Sequence, residues 1–292
     1  MKYVLIIAVL FVLPLRQQGG YDKAYVDIKT ATIAGDMYGI VKLRRTGNHV
    51  RVKYFAARSP ENVSVDERFR QWAVFKNIIG YSSGAYMTNC YGMAAPVGLC
   101  LDEGHMVNAA LVENGLDGLV VAYADGGLGA FSLKAGNIIV NDDNGRLRLN
   151  PRSSAYDKQL FINWAKKGQT TVFQSHLLVY DDTLQVGRNG SPTVSPRRVL
   201  AVCKEDNDEI THYIINLPNA SSLYEGARKA LDYLKKYEGV ARVAFMVNLD
   251  TGCQDIFTLY DRSGKKITRP PFQGNDHVTA SQATNLLVYY YE

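Results

Sequence analysis

"VARVAFMVNLDTGCQDIF", residues 240–257, is the stretch on which the reading of this chain turns. From Val240 to Leu249 it is apolar apart from Arg242 and Asn248, as in a strand buried on both faces. It then runs into Asn248, Asp250, Thr251, Gln254 and Asp255 around Gly252. Alternation along a strand sends Asn248 and Asp250 to one side and Leu249 to the other. Gly252 suits a turn and lets backbone approach a ligand. "IFTLYD" then resumes as a strand. Polar groups so dense at the end of a buried strand are costly without partners. Two readings follow: an Asx-type turn in which Asp250 bonds its own backbone, or the floor of a site.

Working outward, "SSLYEGARKALDYLKKYEG" just upstream reads as a helix. Ser222 and Glu225 have capping-box spacing, Leu223, Ala227, Ala230, Leu231 and Leu234 share a face, and Gly239 is a stop. Before it, "RRVLAVC" (197–203) and "ITHYIINL" (210–217) flank the polar "KEDNDE" and predict a hairpin. Further strands are expected at 24–29, 38–43, 49–56, 97–101, 118–123, 137–140, 146–149 and 171–180. "NDDNG" (141–145) reads as a hairpin turn, and the C-terminal "LLVYYYE" as a last strand. Helices are expected in "SVDERFRQWAVFKN", where Ser64 and Glu67 again have box spacing, and in "DKQLFINWAKK" (157–167). Strands outnumber helices and do not alternate with them one for one. The expected class is therefore α+β: a β-rich single domain, residues 20–292, with a mixed or antiparallel sheet core and about three helices.

The chain has 292 residues, 47% hydrophobic and 21% charged, a globular composition. A net charge of +5 without a long basic run or nucleic-acid motif sets nucleic acid aside as a partner. Residues 1–18 carry one Lys before an apolar stretch from Tyr3 to Leu15. That length suits a signal peptide and is short for a membrane span, so export is expected; an uncleaved anchor would be the one membrane contact. Cysteines stand at 90, 100, 203 and 253. Cys90–Cys100 is the easiest loop to close, although spacing alone does not assign pairs. No CxxC occurs, and neither a metal nor a cofactor is predicted.

The chain resembles the phosphodiester glycosidase family through an ordered set of segments. "VNLDTGCQ" (247–254) matches that family's apolar strand ending in Asn-Leu-Asp-Gly-Gly-Gly-Ser, and "PRRVLAV" (196–202) its Pro-Arg-Thr-Ala-Ile-Gly. "FQSHLLV" (173–179) matches Phe-Gln-small-Gly-Pro-Leu-Leu more loosely. "TNCYGMAAPVGLCLDEGHMVN" (88–108) offers the Asn and Pro-x-Gly of the first segment. Here Thr251 and Cys253 replace glycines, Gln254 a serine, His176 a glycine and Arg198 a threonine.

The resemblance implies hydrolysis of a sugar-1-phosphodiester or related glycoconjugate by an exported enzyme. The alternative is an inactive carbohydrate-binding protein on the same scaffold. Asp250 would act as base or stabiliser of the oxocarbenium-like centre. Arg197 would hold the phosphate, because its planar fork matches phosphate oxygens, with Arg198 as a possible assistant. His176 is a further acid–base candidate, set against a backbone-bonded core histidine. Asn89, Gln174, Asn248, Thr251, Gly252, Gln254 and Asp255 are the expected substrate-binding residues.

Overall fold

The computed structural model describes residues 21–33, 35–57, 63–88, 95–113, 115–143, 145–188, 193–274 and 279–292. The leader candidate (1–18), Asn89 and Cys90 lie outside the described residues. In chain order come β1 (Val26–Ile33), β2 (Asp36–Arg44), β3 (Val50–Ala56), α1 (Val65–Ala73), β4 (Asn77–Ser82), β5 (Cys100–Asp102) and β6 (His105–Asn108). Next are β7 (Gly118–Ala122), β8 (Leu128–Ser132), β9 (Ile138–Asp142), β10 (Gly145–Leu149), α2 (Ala155–Lys167), β11 (Thr171–Tyr180) and β12 (Thr183–Leu184). The last are β13 (Ser195–Lys204), β14 (Ile210–Ser221), α3 (Leu223–Tyr237), β15 (Arg242–Leu249), β16 (Phe257–Leu259) and β17 (Asn285–Tyr291).

The strand pairings among the described residues are antiparallel throughout. An 11-stranded sheet follows the order β1-β2-β14-β13-β15-β11-β5-β6, with β7, β8 and β12 branching from it, and a 4-stranded sheet follows β16-β4-β17-β3. The two sheets face each other across one core. Leu200, Val202, Phe245, Val247 and Leu249 from the larger sheet meet Val52, Tyr54, Ile79, Leu287 and Tyr289 from the smaller. Helix α3 covers the outer face of the larger sheet through Leu223, Ala227, Ala230 and Leu234 against Val199, Ala201 and Met246. Helix α1 covers the outer face of the smaller one through Val65, Phe69 and Ala73. Helix α2 packs on the β5–β7 wing. The class read from the sequence is thus the one observed, antiparallel and, among the described residues, with three α-helices.

The local signals act as the residues predict. Ser222 and Glu225 form the full capping box on α3, whereas Ser64 only accepts the Glu67 N–H. The 197–217 hairpin is the β13–β14 pair. Four strands lie outside the reading, β4, β6, β8 and β12; the largest difference is that α1 stops at Ala73 and Asn77, read as the helix end, opens β4. It is paired on both edges, by β16 and β17. Partners that far along the chain leave no local signature. The cysteine expectation is also corrected. Cys100 is a free thiol at 0% exposure in the intersheet core, so the short Cys90–Cys100 loop is not closed. Cys203 is free too, and Cys253 is disulfide-bonded. Among the described residues no helix is long and apolar enough to cross a membrane.

Candidate active site

Three neighbouring strands bring the predicted residues together. Asn248 on β15 lies opposite His176 on β11 and opposite Val199 on β13. Arg197, two residues before Val199, shares that face. This is the face α3 covers, and the helix begins just where Arg197 emerges. Arg197 Nε donates to Ser221 O at 2.9 Å and its Nη2 to Thr193 O at 2.6 Å. A Cβ at Gly226 of α3 would stand 3.0 Å from Arg197 Cγ, so the helix start packs closely on the arginine stem. The guanidinium is nearly buried, and among the described residues no carboxylate pairs with it. Burial pushes its pKa down.

Near it stand Tyr86 and His176, with Asn248 bonded to the Tyr86 hydroxyl. Asn248 Nδ2 donates to Tyr86 Oη and to Leu249 O, which uses both of its hydrogens. Asn248 Oδ1 is buried with no hydrogen-bond partner. Tyr86 Oη accepts from Asn248, so its own hydrogen is left to donate. Burial raises the Tyr86 pKa far above the usual phenol value, with the nearby Asp250 charge raising it and Arg197 lowering it. The hydroxyl therefore stands within the field of both ions. His176 packs edge-on against Tyr86 at 5.1 Å, and its Nδ1 is 2.7 Å from Gly115 O. A carbonyl can only accept, so Nδ1 carries the proton and Nε2 of the neutral ring is a base. Desolvation lowers the His176 pKa, which keeps the ring neutral near pH 7.

Asp250 directly follows β15, at 2% exposure. Its Oδ1 accepts the Gly252 N–H at 2.8 Å, its backbone N–H reaches Gly84 O at 3.3 Å, and Ser83 Oγ donates to its carbonyl at 2.8 Å. The first opening reading holds: the stretch is an Asx turn in which Asp250 bonds its own backbone, with the carboxylate buried. Burial pushes the Asp250 carboxyl up to about 6; Gly252 N–H and Arg198 lower it, and Asp255 raises it.

Several expected binding residues have other work. Gln174 is fully buried with both ends used: Oε1 accepts the Leu99 and Val112 N–H groups, and Nε2 donates to Val112 O and Leu116 O. It braces the 97–116 segment and has no group left for a sugar. Gln254, also at 0% exposure, ties the turn to the chain near β17 through Thr284 Oγ1 at 2.8 Å and Gln282 O at 3.0 Å. Asp255 pairs with Arg198 Nη2 at 2.7 Å. Arg198 points into the intersheet core beside Leu249, with its guanidinium 4.2 Å from the Phe257 ring centroid, so it is structural and assists no ligand on the Arg197 face. Thr251 Oγ1 donates to Pro196 O at 2.8 Å and joins the turn to the start of β13. Gly252 serves through its N–H on Asp250. Asn89 lies outside the described residues. Tyr86 was missed, because a tyrosine in a loop 162 residues from Asn248 carries no local sign of the contact.

Gly98 shows how tightly Gln174 is held. It has φ +80°, and a Cβ there would lie 2.3 Å from Gln174 Oε1. Gly98→Ala is expected to cost at least about 2 kcal/mol, read as a lowered urea midpoint at unchanged slope, because strain and overlap add.

With the site described, comparison with known proteins adds a likeness of shape. No family model and no curated protein matches the chain. Among solved structures, it is similar to the catalytic domain of zebrafish N-acetylglucosamine-1-phosphodiester alpha-N-acetylglucosaminidase auto-inhibited by its pro-peptide. That match has 12% identity and TM-score 0.49, over 91% of this chain and 82% of that one. It is also similar to a hypothetical protein from Synechocystis, at 10% identity and TM-score 0.45, over 91% and 62%. A putative exported protein from Burkholderia pseudomallei K96243 matches at 11% identity and TM-score 0.44, over 88% and 74%. The likeness is one of fold.

Proposed function

We propose that this chain is an exported hydrolase that cleaves the glycosidic bond of a sugar-1-phosphodiester or related glycoconjugate. The observation that carries the reading is the nearly buried Arg197, which has no carboxylate partner among the described residues, with its charge and that of Asp250 both acting on the Tyr86 hydroxyl. A buried cation that lacks an anion is costly in an empty site and favourable once a phosphate arrives. The ordered sequence segments support the same reading.

In this mechanism the substrate phosphate lies on Arg197, whose Nη1 is not used by the protein bonds described. The anomeric carbon then faces Asp250. Ionised above about pH 6, the Asp250 carboxylate stabilises the oxocarbenium-like centre or takes a proton from the attacking water. His176 Nε2 is a second proton acceptor on the same face. A phosphodiester is a weakly basic leaving group and needs little protonation, so charge neutralisation by Arg197 does most of that work. Asn248 Oδ1 accepts a sugar hydroxyl, and Tyr86 donates to a sugar oxygen.

The test is release of free sugar from a panel of N-acetylglucosamine, glucose and mannose 1-phosphodiesters. Wild type is expected to turn over at least one, and Arg197→Met to lose about 10²–10³ in kcat/KM on it. Sugar binding without turnover on any member would instead make the chain a carbohydrate-binding protein on the same scaffold.

A further inference from the structure

A cleft of about 670 Å³ opens where β1, the edge strand of the larger sheet, meets the loop that follows β16, the edge strand of the smaller one. It shares no lining residue with the candidate active site. The β1–β2 wall supplies Lys23, Asp27 and Arg44, and the loop supplies Asp261, Arg262 and Arg269. Two bonds join the walls: Tyr21 Oη donates to Tyr260 O and Arg262 Nε donates to Tyr21 O, each at 3.1 Å. Within the loop, Asp261 Oδ1 accepts the Ser263 and Lys265 N–H groups at 2.8 and 3.0 Å, and Gly264 turns the chain at φ +77°. The loop is therefore a tight, internally bonded turn that holds its cations outward.

Those cations are accessible. Lys23, Arg262 and Arg269 are exposed and Arg44 is half-buried. Among the described residues, none of the four pairs with a carboxylate. Arg44 Nη1 donates to Ala24 O at 3.0 Å, Arg262 uses Nε on Tyr21 O, and the Arg269 guanidinium lies 5.9 Å from the Phe272 ring centroid. These contacts orient the guanidinium groups and leave Nη2 of Arg44 and both Nη atoms of Arg262 outside them. The two acids of the lining have partners elsewhere: Asp27 Oδ2 is 3.6 Å from Lys29 Nζ, and Asp261 serves its own turn. Four cations against two carboxylates leave an excess of two positive charges in the cleft.

Guanidinium forks match phosphate oxygens. Cations on both walls suit a ligand with more than one anionic group. The volume is that of a small-molecule site, larger than a single phosphate needs. Tyr21 is the one ring in the lining; it is 8% exposed with its hydroxyl bonded, so no aromatic face is offered to a nucleobase. The site is concave, so a flat lipid surface meets only its rim, whereas a chain can enter it. We infer that this cleft binds a soluble chain of phosphodiester-linked units through its phosphates. The inference stands whether or not the candidate active site turns over a phosphodiester.

The test is calorimetric titration of the full chain with short poly(glycerol phosphate). Saturable binding is expected, weakening as salt rises from about 50 to 200 mM. The variant Lys23→Gln/Arg262→Gln/Arg269→Gln is expected to lose at least about tenfold in affinity. Its positions are exposed, so its urea midpoint should stay near that of wild type. Arg269→Gln alone, which gives up none of the hydrogen bonds described, is expected to lose about threefold. Arg146→Gln/Arg148→Gln/Lys166→Gln removes the same charge from exposed positions on β10 and α2, and is expected to change affinity less than about twofold. Binding is expected to persist in Arg197→Met, and inorganic phosphate to bind at least about tenfold more weakly at equal phosphate concentration. The inference is overturned if the two triple variants lose affinity equally, or if binding vanishes in Arg197→Met and survives in the cleft variant. It is also overturned if inorganic phosphate binds as well, or if vesicles of phosphatidylglycerol bind and the soluble chain does not.

Discussion

Asp250→Asn is expected to yield a protein that is inactive and, near neutral pH, more stable than wild type. The Asp250 carboxyl sits at 2% exposure with its pKa pushed up to about 6, whereas an unfolded aspartate ionises near 3.9. Between about pH 4 and 6 the folded chain holds a proton that the unfolded chain has released, so this group's contribution to stability falls as pH rises and is flat above about 6. The two-unit shift corresponds to about 2–3 kcal/mol at pH 7. Asparagine keeps an oxygen for the Gly252 N–H and carries no charge, so the variant escapes the penalty. Urea unfolding of both proteins at pH 4, 5, 6 and 7 checks this: the curves should nearly coincide at pH 4 and separate in favour of the variant by pH 7. In the wild type, kcat/KM should rise through about pH 6 as Asp250 ionises. A variant no more stable at pH 7 than at pH 4, relative to wild type, would show that the carboxylate is satisfied in the native protein and that its burial stores nothing for catalysis.

The adjacent arginines should separate function from stability. Arg198 is 1% exposed, pairs with Asp255 and lies against Phe257. Arg198→Met removes that partner from a largely buried carboxylate and is expected to cost about 3–5 kcal/mol. Adding Asp255→Asn should recover part of the loss, because the charge goes with it. Arg197→Met gives up two hydrogen bonds to carbonyls and should cost only about 1–2 kcal/mol. Its effect should be on turnover, as set out above. Denaturation midpoints and phosphodiester cleavage measured on both variants decide the matter. Equal stability losses with equal activity losses would mean that both arginines are part of one structural unit.

Much of the fold was written in local pattern. The run from Val240 to Leu249 is apolar in both phases because the intersheet core lies on one side of β15 and α3 on the other. The Ser222 cap and the 197–217 hairpin were readable because caps and turns depend on residues within a few positions of each other. The same alternation put Asn248 on the face away from Leu249, where His176 and Arg197 stand. β4 could not be read that way. Its six residues acquire their identity from β16 and β17, both close to the other end of the chain.

The sequence by itself determined the strand–helix–strand frame, the face on which Asn248 sits, and the choice of Asp250 and Arg197 as the charged pair to consider. Only the tertiary structure decided which polar residues keep an unused hydrogen-bonding group. Gln174, Gln254 and Asp255 look as available in the sequence as Asn248 does. Each is consumed by partners from segments distant in sequence or across the turn, while among the described residues Asn248 keeps an unpartnered oxygen and Arg197 pairs with no carboxylate. The reason is physical: whether a hydrogen-bonding group is free depends on what folding brings within about 3 Å of it, and that is not a property of the residue or its neighbours along the chain.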